Sequence, residues 1–265
     1  MLRLAFVFGA FGWAIPALAE VTALRLAAGQ AWVAEEPAGW AALTAGVAQF
    51  AADWQLQTGD AVERLTVVET GHRPPGLQAV GRAVVFDAPS TAPAFFAWLE
   101  DRWVGPDEQL RVNLVVGAWQ TPWLEVVVAF MQDPPRGVQA ELTVLSQPAQ
   151  AWSEWVLALE EVRQPDLWVL LTPTPLTFRP AGRDLPVDAG RVWVVGTHLR
   201  LLEDVARGEV EAVFQPRWFE WGYQQAEALT QGTEALLPER PAVITALNLP
   251  EWQERWRAWL NRAAQ

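Results

Sequence analysis

From Leu110 onward the chain alternates between two kinds of segment, and that alternation restricts its fold more than any other feature. "LRVNLVVGA" (110–118) is an apolar, β-branched run suited to a parallel strand buried on both faces. "TPWLEVVVAFMQDP" (121–134) follows as a helix, with Thr121 expected at the N-cap and Pro122 at the first helical position. "VQAELTVLS" (138–146) alternates like a strand, and "QAWSEWVLALEEVRQ" (150–164) places Trp152, Trp155, Leu159 and Val162 on one helical stripe. "DLWVLLT" (166–172) and "RVWVVGT" (191–197) are further buried strands. Between them lies "PTPLTFRPAGRDLP", which its prolines mark as a loop standing where a helix is usual, either functional or degenerate. "LRLLEDVARG" (199–208) is a short helix stopped by Gly208.

The stretch "GEVEAVFQPRWFEWGYQQAEAL" (208–229) then joins two periods. Val210, Ala212 and Phe214 alternate with Glu209, Glu211 and Gln215, predicting a strand with one polar face. After Pro216 the spacing of Trp218, Trp221, Gln225 and Leu229 predicts a helix. Strands alternating with helices in this order specify an α/β fold, a doubly wound parallel sheet. In such sheets ligands bind beyond the carboxyl ends of the strands. Trp218, Phe219, Trp221 and Tyr223 sit at one such corner, where they face a solute, the core or a partner.

The N-terminal third is less regular. "PAGWAALTAGVAQFAADWQLQTG" (37–59) carries Trp40, Leu43, Val47, Phe50 and Trp54 on one helical stripe. "ERLTVVETG" (63–71) and "RAVVFDA" (82–88) predict strands around the loop "HRPPGLQAVG", and "TAPAFFAWLEDRW" (91–103) predicts a helix. At the other end, "PAVITALN" (241–248) is extended and "LPEWQERWRAWLNRAAQ" (249–265) is amphipathic, with Trp252, Trp256 and Trp259 on its apolar face.

Composition limits the chemistry. The chain has no cysteine, which excludes thiol nucleophiles and thiolate metal sites. Its formal charge of −12, with all 19 basic residues arginine, argues against nucleic acid or an anionic membrane as partner. Seventeen tryptophans offer stacking platforms for sugars, clamps for cationic amines, or core filling. Residues 1–19 have the pattern of a secretory signal. Arg3 precedes an apolar run from Leu4 to Ile15, and Ala17-Leu18-Ala19 forms a small-x-small cleavage site. The competing reading is an uncleaved anchor; cleavage predicts a periplasmic protein with no membrane insertion thereafter.

Catalytic signatures are lacking. The two histidines, His72 and His198, form no zinc-binding spacing, and His72 in "TGHRPPG" serves as a base, a ligand or a turn residue. Neither Ser90, Ser146 nor Ser153 lies in a nucleophile elbow, and without lysine there is no phosphate-binding P-loop. Acidic pairs such as Glu160-Glu161 and Glu35-Glu36 fit solvated faces. The expectation is a non-enzyme without catalytic residues, metal or cofactor; an enzyme would need His72 and His198 to converge on one cavity.

"RVWVVGTHLRLLEDVARGEVEAVFQPRWFEWGYQQAEAL" resembles the closing unit of the type I periplasmic binding proteins, the sugar-binding branch of ABC-transporter receptors. The matching positions are Val194, Val195, Gly196, Gly208, Val210, Gln215, Pro216, Gly222 and Tyr223. "PAVITALNLPEW", with Asn248, is similar to the family's last strand, and "AVVFDAP" (83–89) to the strand near the end of its first lobe. The sequence departs from the family in four places. His198 stands where a sugar-binding Asp is usual, and Val126, Val127 and Val128 where an Arg is usual. Thr172-Pro173-Thr174 replaces an Asn-Asp pair, and Pro216 comes one residue early.

The resemblance implies a periplasmic-binding-protein-like fold with a complete second lobe and a reduced first lobe. Its segments would be a signal peptide (1–19), the reduced N-terminal lobe (20–90), a Rossmann-like second lobe (91–232) and a C-terminal return strand and helix (233–265). It further implies recognition of a small polar molecule, sugar-like or amine-like, for a membrane permease of an ABC transporter or a sensor kinase. Trp119 and Trp123 would then form an aromatic wall and Gln215 would offer an amide hydrogen bond. His198, Thr172 and Asp87 would supply the remaining polar contacts. The alternative is an accessory or scaffold protein that kept the fold and lost the pocket.

Overall fold

The computed structural model describes residues 23–28, 37–58, 64–69, 83–85, 109–161, 165–185, 191–231 and 240–263. The signal segment, the loop holding His72, Asp87 and the helix expected over 91–103 lie outside the described residues.

Two sheets organise the described residues. The smaller has three parallel strands, β1 (Ala23–Ala28), β2 (Arg64–Glu69) and β3 (Ala83–Val85), in the order β2-β1-β3. Helix α1 (Pro37–Thr58) makes the crossover from β1 to β2. Strands β2 and β3 match the sequence expectation; β1 is an addition to it. "ALRLAA" has no β-branched residue, so its extended form comes from pairing on both sides and not from local preference.

The larger sheet has six strands in the order β5-β4-β6-β7-β8-β9. They are β4 (Leu110–Gly117), β5 (Val138–Leu145), β6 (Leu167–Leu170), β7 (Arg191–Val195), β8 (Ala212–Gln215) and β9 (Ala242–Ile244). All pair in parallel except β8 with β9. The connecting helices are α2 (Thr121–Gln132), α3 (Ala151–Glu161), the single turn α4 (Thr174–Thr177) and α5 (Leu199–Ala206). Helix α6 (Trp218–Gln231) follows β8, and α7 (Leu249–Ala263) follows β9. Among the described residues the smaller sheet thus has three strands and the larger six.

Alternate residues of each strand feed two cores. On one face Val115, Leu170, Val194 and Val213 pack with Trp155 of α3, Leu201 of α5, and Trp252 and Trp256 of α7. On the other, Val112, Leu114, Val116, Val169 and Phe214 pack with Val127 and Phe130 of α2. Strand β8 therefore differs from the expected half-polar strand, because Ala212, Val213, Phe214 and Gln215 are all buried. The acidic residues before it mark its approach, while its own four residues sit inside the sheet with neighbours on both sides. Asn113, buried in β4, is satisfied by the Thr143 hydroxyl, which donates to Oδ1 at 2.9 Å.

Two local expectations shift. Gln120, not Thr121, caps α2: its N–H closes a turn onto the Gly117 carbonyl at 2.9 Å, which starts the helix at Thr121 with Pro122 inside its first turn. The proline-rich segment after β6 contains the helical turn α4, with Thr174, Pro175 and Leu176 buried. It covers the sheet where a longer helix would otherwise stand.

A third core joins α1 to α6. Ala42, Leu43, Val47 and Phe50 meet Trp218, Trp221 and Ala226, with Tyr223 edge-on to Phe50. Two glycines let the helix backbones touch. A Cβ built on Gly46 would lie 2.0 Å from the Phe219 carbonyl oxygen, and one on Gly222 would lie 2.2 Å from that of Leu43. The Trp218 and Trp221 rings thus point into a helix–helix core, and Phe219 stacks on Trp259 of α7 at 5.8 Å.

Candidate functional site

The strand order reverses direction around β4, whose neighbours β5 and β6 are both reached from it or across it. This places a topological switch point at the carboxyl ends of β4 and β6, the usual crevice of an open α/β sheet. The segments leaving the strands here are 117–120, 172–175, 196–198 and 215–216. They contain no Asp, Glu or Arg, so they present ring faces, hydroxyls and amide dipoles.

Trp119 rides on the end of β4. Its ring folds back over Gly117, so closely that a Cβ there would fall 2.4 Å from ring carbon Cε2. Gln120 locks the turn, its Oε1 accepting from the Gly117 N–H at 3.2 Å. The Trp119 ring is half-buried against the α3–α5 side core. Its indole N–H is shielded and has no hydrogen-bond partner among the described residues, as is also true of Trp155 in the core. Trp123 falls in the first turn of α2, and its side chain lies outside the described ones.

The ends of β6, β7 and β8 are more closed. Thr172 is fully buried, its hydroxyl 2.6 Å from that of Thr174 and accepting the Thr174 N–H at 3.2 Å. Gly196 lies against Pro173, which leaves 2.8 Å for any added Cβ. Thr197 is also buried, and the first turn of α1 sits on it: a Cβ on Gly39 would meet Thr197 Oγ1 at 2.4 Å and the Trp218 ring at 2.9 Å. Gln215 is 1% exposed and accepts the Trp256 indole N–H at 2.6 Å.

His198 occupies the N-cap of α5, with Nδ1 accepting the Arg200 N–H at 3.2 Å. Burial, aided by the nearby Arg200 charge and opposed by Glu203, holds its pKa below the usual imidazole value. The neutral ring that accepts this bond is therefore the favoured form. Trp119, Thr172, His198 and Gln215 thus share one edge of the sheet. Trp119 keeps an unused polar atom, while the other three have polar atoms engaged with the chain itself.

Sequence reasoning did not anticipate the part played by α1. The signal was present in "AGWAALTAG", whose small residues Ala38, Gly39, Ala42, Ala45 and Gly46 allow close approach. Nor did it anticipate a buried charge cluster on α5. Asp204 receives Arg179 Nη2 at 2.5 Å and also binds Arg207, while Arg179 Nη1 reaches Glu209 at 2.7 Å. The cluster fastens the segment after α4 to the carboxyl end of α5. No group of three His, Asp or Glu able to hold a metal ion occurs among the described residues. None of the helices among them is long and apolar enough to cross a membrane.

No sequence-family profile and no curated protein matches the chain. Solved structures do. The arabinose-binding protein AraP of Geobacillus stearothermophilus aligns with a TM-score of 0.62 at 11% identity, covering 86% of this chain and 98% of that one. The fold is that of the type I periplasmic binding proteins. A periplasmic component of an ABC-type sugar transport system from Hahella chejuensis aligns at 0.56 with 12% identity, over 84% and 99% of the two chains. The XylFII–LytSN complex contains a chain that aligns at 0.53 with 12% identity, over 84% and 97%. The strand ends described above lie at the carboxyl side of an open α/β sheet, which makes them the candidate site by geometry.

Proposed function

We propose that the protein is a non-catalytic recognition protein of the periplasm. It binds a small polar solute beside Trp119 and signals occupancy to a membrane permease or a sensor kinase. The observation that carries this reading is the Trp119 indole, seated at the switch point with a shielded N–H that no described residue satisfies. A tryptophan face stacks on the C–H face of a sugar-like ring or holds a cationic amine, and its N–H adds a directed hydrogen bond. The strand ends carry no carboxylate, and their one imidazole, His198, has Nδ1 engaged in capping α5, which fits binding in preference to turnover. The alignments with solute-binding proteins support the same reading, and the XylFII–LytSN complex supports a protein partner.

The test is a thermal-shift and tryptophan-fluorescence screen with pentoses, hexoses, amine oxides and quaternary amines. A true ligand at a hundred times its dissociation constant adds about 2.7 kcal/mol of stability, and Trp119→Ala abolishes the response while the protein stays folded. Silence across the panel removes the solute reading.

One group of observations favours a second reading, an accessory or scaffold protein that kept this fold without its pocket. Thr172, Thr197 and Gln215 are buried, Gln215 is held by Trp256, and α1 covers Thr197. A collapsed crevice in a crystal structure, combined with a silent screen, would decide for it.

A further inference from the structure

Strand β5 ends the six-stranded sheet. It pairs with β4 along its whole length and has no other neighbour among the described strands. The Gly137 and Leu145 carbonyls accept the Leu110 and Ala118 N–H groups from the β4 side. Main-chain groups alternate in direction along a strand, so the odd-numbered residues of β5 bond to β4 and the even-numbered ones turn their N–H and C=O outward. Val138 directs its outward N–H to the Pro135 carbonyl at 3.0 Å. The outward main-chain groups of Ala140, Leu142 and Val144 have no partner among the described residues and form an open edge.

The two faces of this edge differ in chemistry. Val138, Ala140 and Leu142 border the core shared with Val127 and Phe130 of α2, and alternation places Val144 on the same face. Val144 is exposed, as is Val128 of α2. On the opposite face the Ser146 N–H donates to the Glu154 carboxylate at 2.7 Å, which fixes the side of α3 turned to β5. Leu157 and Glu161 follow on that side, three and seven residues later, and both are exposed. Glu141 projects from β5 to this face and is exposed too. Residues 138–161 contain Glu141, Glu154, Glu160 and Glu161 and no basic residue. One face of the edge is therefore apolar and the other acidic.

We propose that the β5 edge is a docking site for an extended, basic segment of a protein partner, added to the sheet as a further strand. Its main chain pairs with Ala140, Leu142 and Val144. Its apolar side chains lie toward Val128 and Val144, and the alternate Arg or Lys residues lie toward Glu141 and Glu161 with their alkyl stems against Leu157. Charge selects this occupant. A second copy of the chain would bring the same carboxylates to the same edge with no cation in 138–161 to offset them, which opposes self-pairing. The docking uses none of the groups assigned to the solute and is independent of that reading.

The probe is a fluorescein-labelled peptide alternating Val and Arg, with blocked ends and the 8 residues of β5. Fluorescence anisotropy with the full chain should show saturable binding, and hydrogen exchange at the Leu142 and Val144 amides should slow in its presence. A peptide alternating Val and Glu should not bind, and one alternating Ser and Arg should bind about tenfold more weakly. Val144→Pro removes one outward N–H at an edge, where proline is tolerated. Glu141→Arg reverses the charge of an exposed side chain and covers the case in which Val144→Pro fails to fold. Each should weaken the Val-Arg peptide about tenfold while circular dichroism reports a folded chain. Absence of binding, equal binding of the Ser-Arg peptide, or unchanged exchange at Leu142 and Val144 overturns the proposal. So does a dimer in analytical ultracentrifugation that Val144→Pro dissociates, since the edge then belongs to a second copy.

Discussion

The indole N–H of Trp256 donates to Oε1 of Gln215 at 2.6 Å, joining the last residue of β8 to the middle of α7 with both side chains buried. The bond makes Gln215 part of the packing of α7. Trp256→Phe should leave the glutamine carbonyl buried and unsatisfied, costing about 1–3 kcal/mol. Gln215→Met should cost a similar amount by stranding the indole N–H. The double variant should be less destabilised than the sum, since both ends of the lost bond are then apolar. Urea-unfolding midpoints measure all three. If Gln215→Met leaves the midpoint unchanged, the side chain is free for another role.

Gly46 and Gly222 should resist substitution although both lie inside helices, where alanine is ordinarily favoured by about 1 kcal/mol. At each, the added methyl would strike a backbone carbonyl oxygen of the opposite helix. Overpacking of this kind typically costs about 1–3 kcal/mol. Because one crossing serves both glycines, Gly46→Ala and Gly222→Ala should be non-additive in a double variant. Gly208→Ala is the contrast. Its φ of 74° strains an alanine with nothing within 4 Å of the new Cβ, so hydrogen exchange in α1 and α6 should not respond to it.

The order of elements was legible because β4, β6 and β7 are rich in Val, Leu and Trp and are separated by amphipathic stretches, a pattern that only a buried parallel sheet satisfies. That order alone put Trp119, Thr172, His198 and Gln215 at one edge of the sheet. Strand β1 escaped notice because Ala and Leu carry a helical preference that pairing with β2 and β3 overrides. The direction of the site's polar atoms was not legible either. Whether Gln215 faces a solute or the core is decided by Trp256, and whether Thr197 is open is decided by Gly39, both distant in the chain. Contacts of that range leave no local periodicity to detect.

The Arg179 cluster should be the most sensitive electrostatic feature. Asp204 is completely buried, with one oxygen receiving Arg179 and Arg207 and the other without a partner among the described residues. Burial pushes its carboxyl pKa up against the opposing pull of the two arginines. Arg179→Leu would leave that carboxylate, and Glu209, short of their buried partner. A loss of about 3–5 kcal/mol is expected. The exposed pair Arg255–Glu251 on α7 is the control, and Arg255→Ala should change stability by no more than about 1 kcal/mol. Chemical denaturation of both variants compares them directly, and equal losses would contradict the assignment.

His198 should give the protein an acid-side stability slope. Its folded pKa lies below the ordinary imidazole value because the ring is partly buried and close to Arg200, so the unfolded chain takes up the proton first. The contribution is therefore fully present above the unfolded pKa of about 6.5. It is lost as pH falls from there through the folded value, because protonation also converts the Nδ1 acceptor that caps α5 into a donor. His198→Asn keeps an N-cap acceptor but cannot titrate. Its stability should match the native chain above neutrality and exceed it below about pH 6. Thermal unfolding midpoints of the two proteins across pH 5–8 test this, and parallel curves throughout would show that His198 does not titrate between the folded and unfolded states.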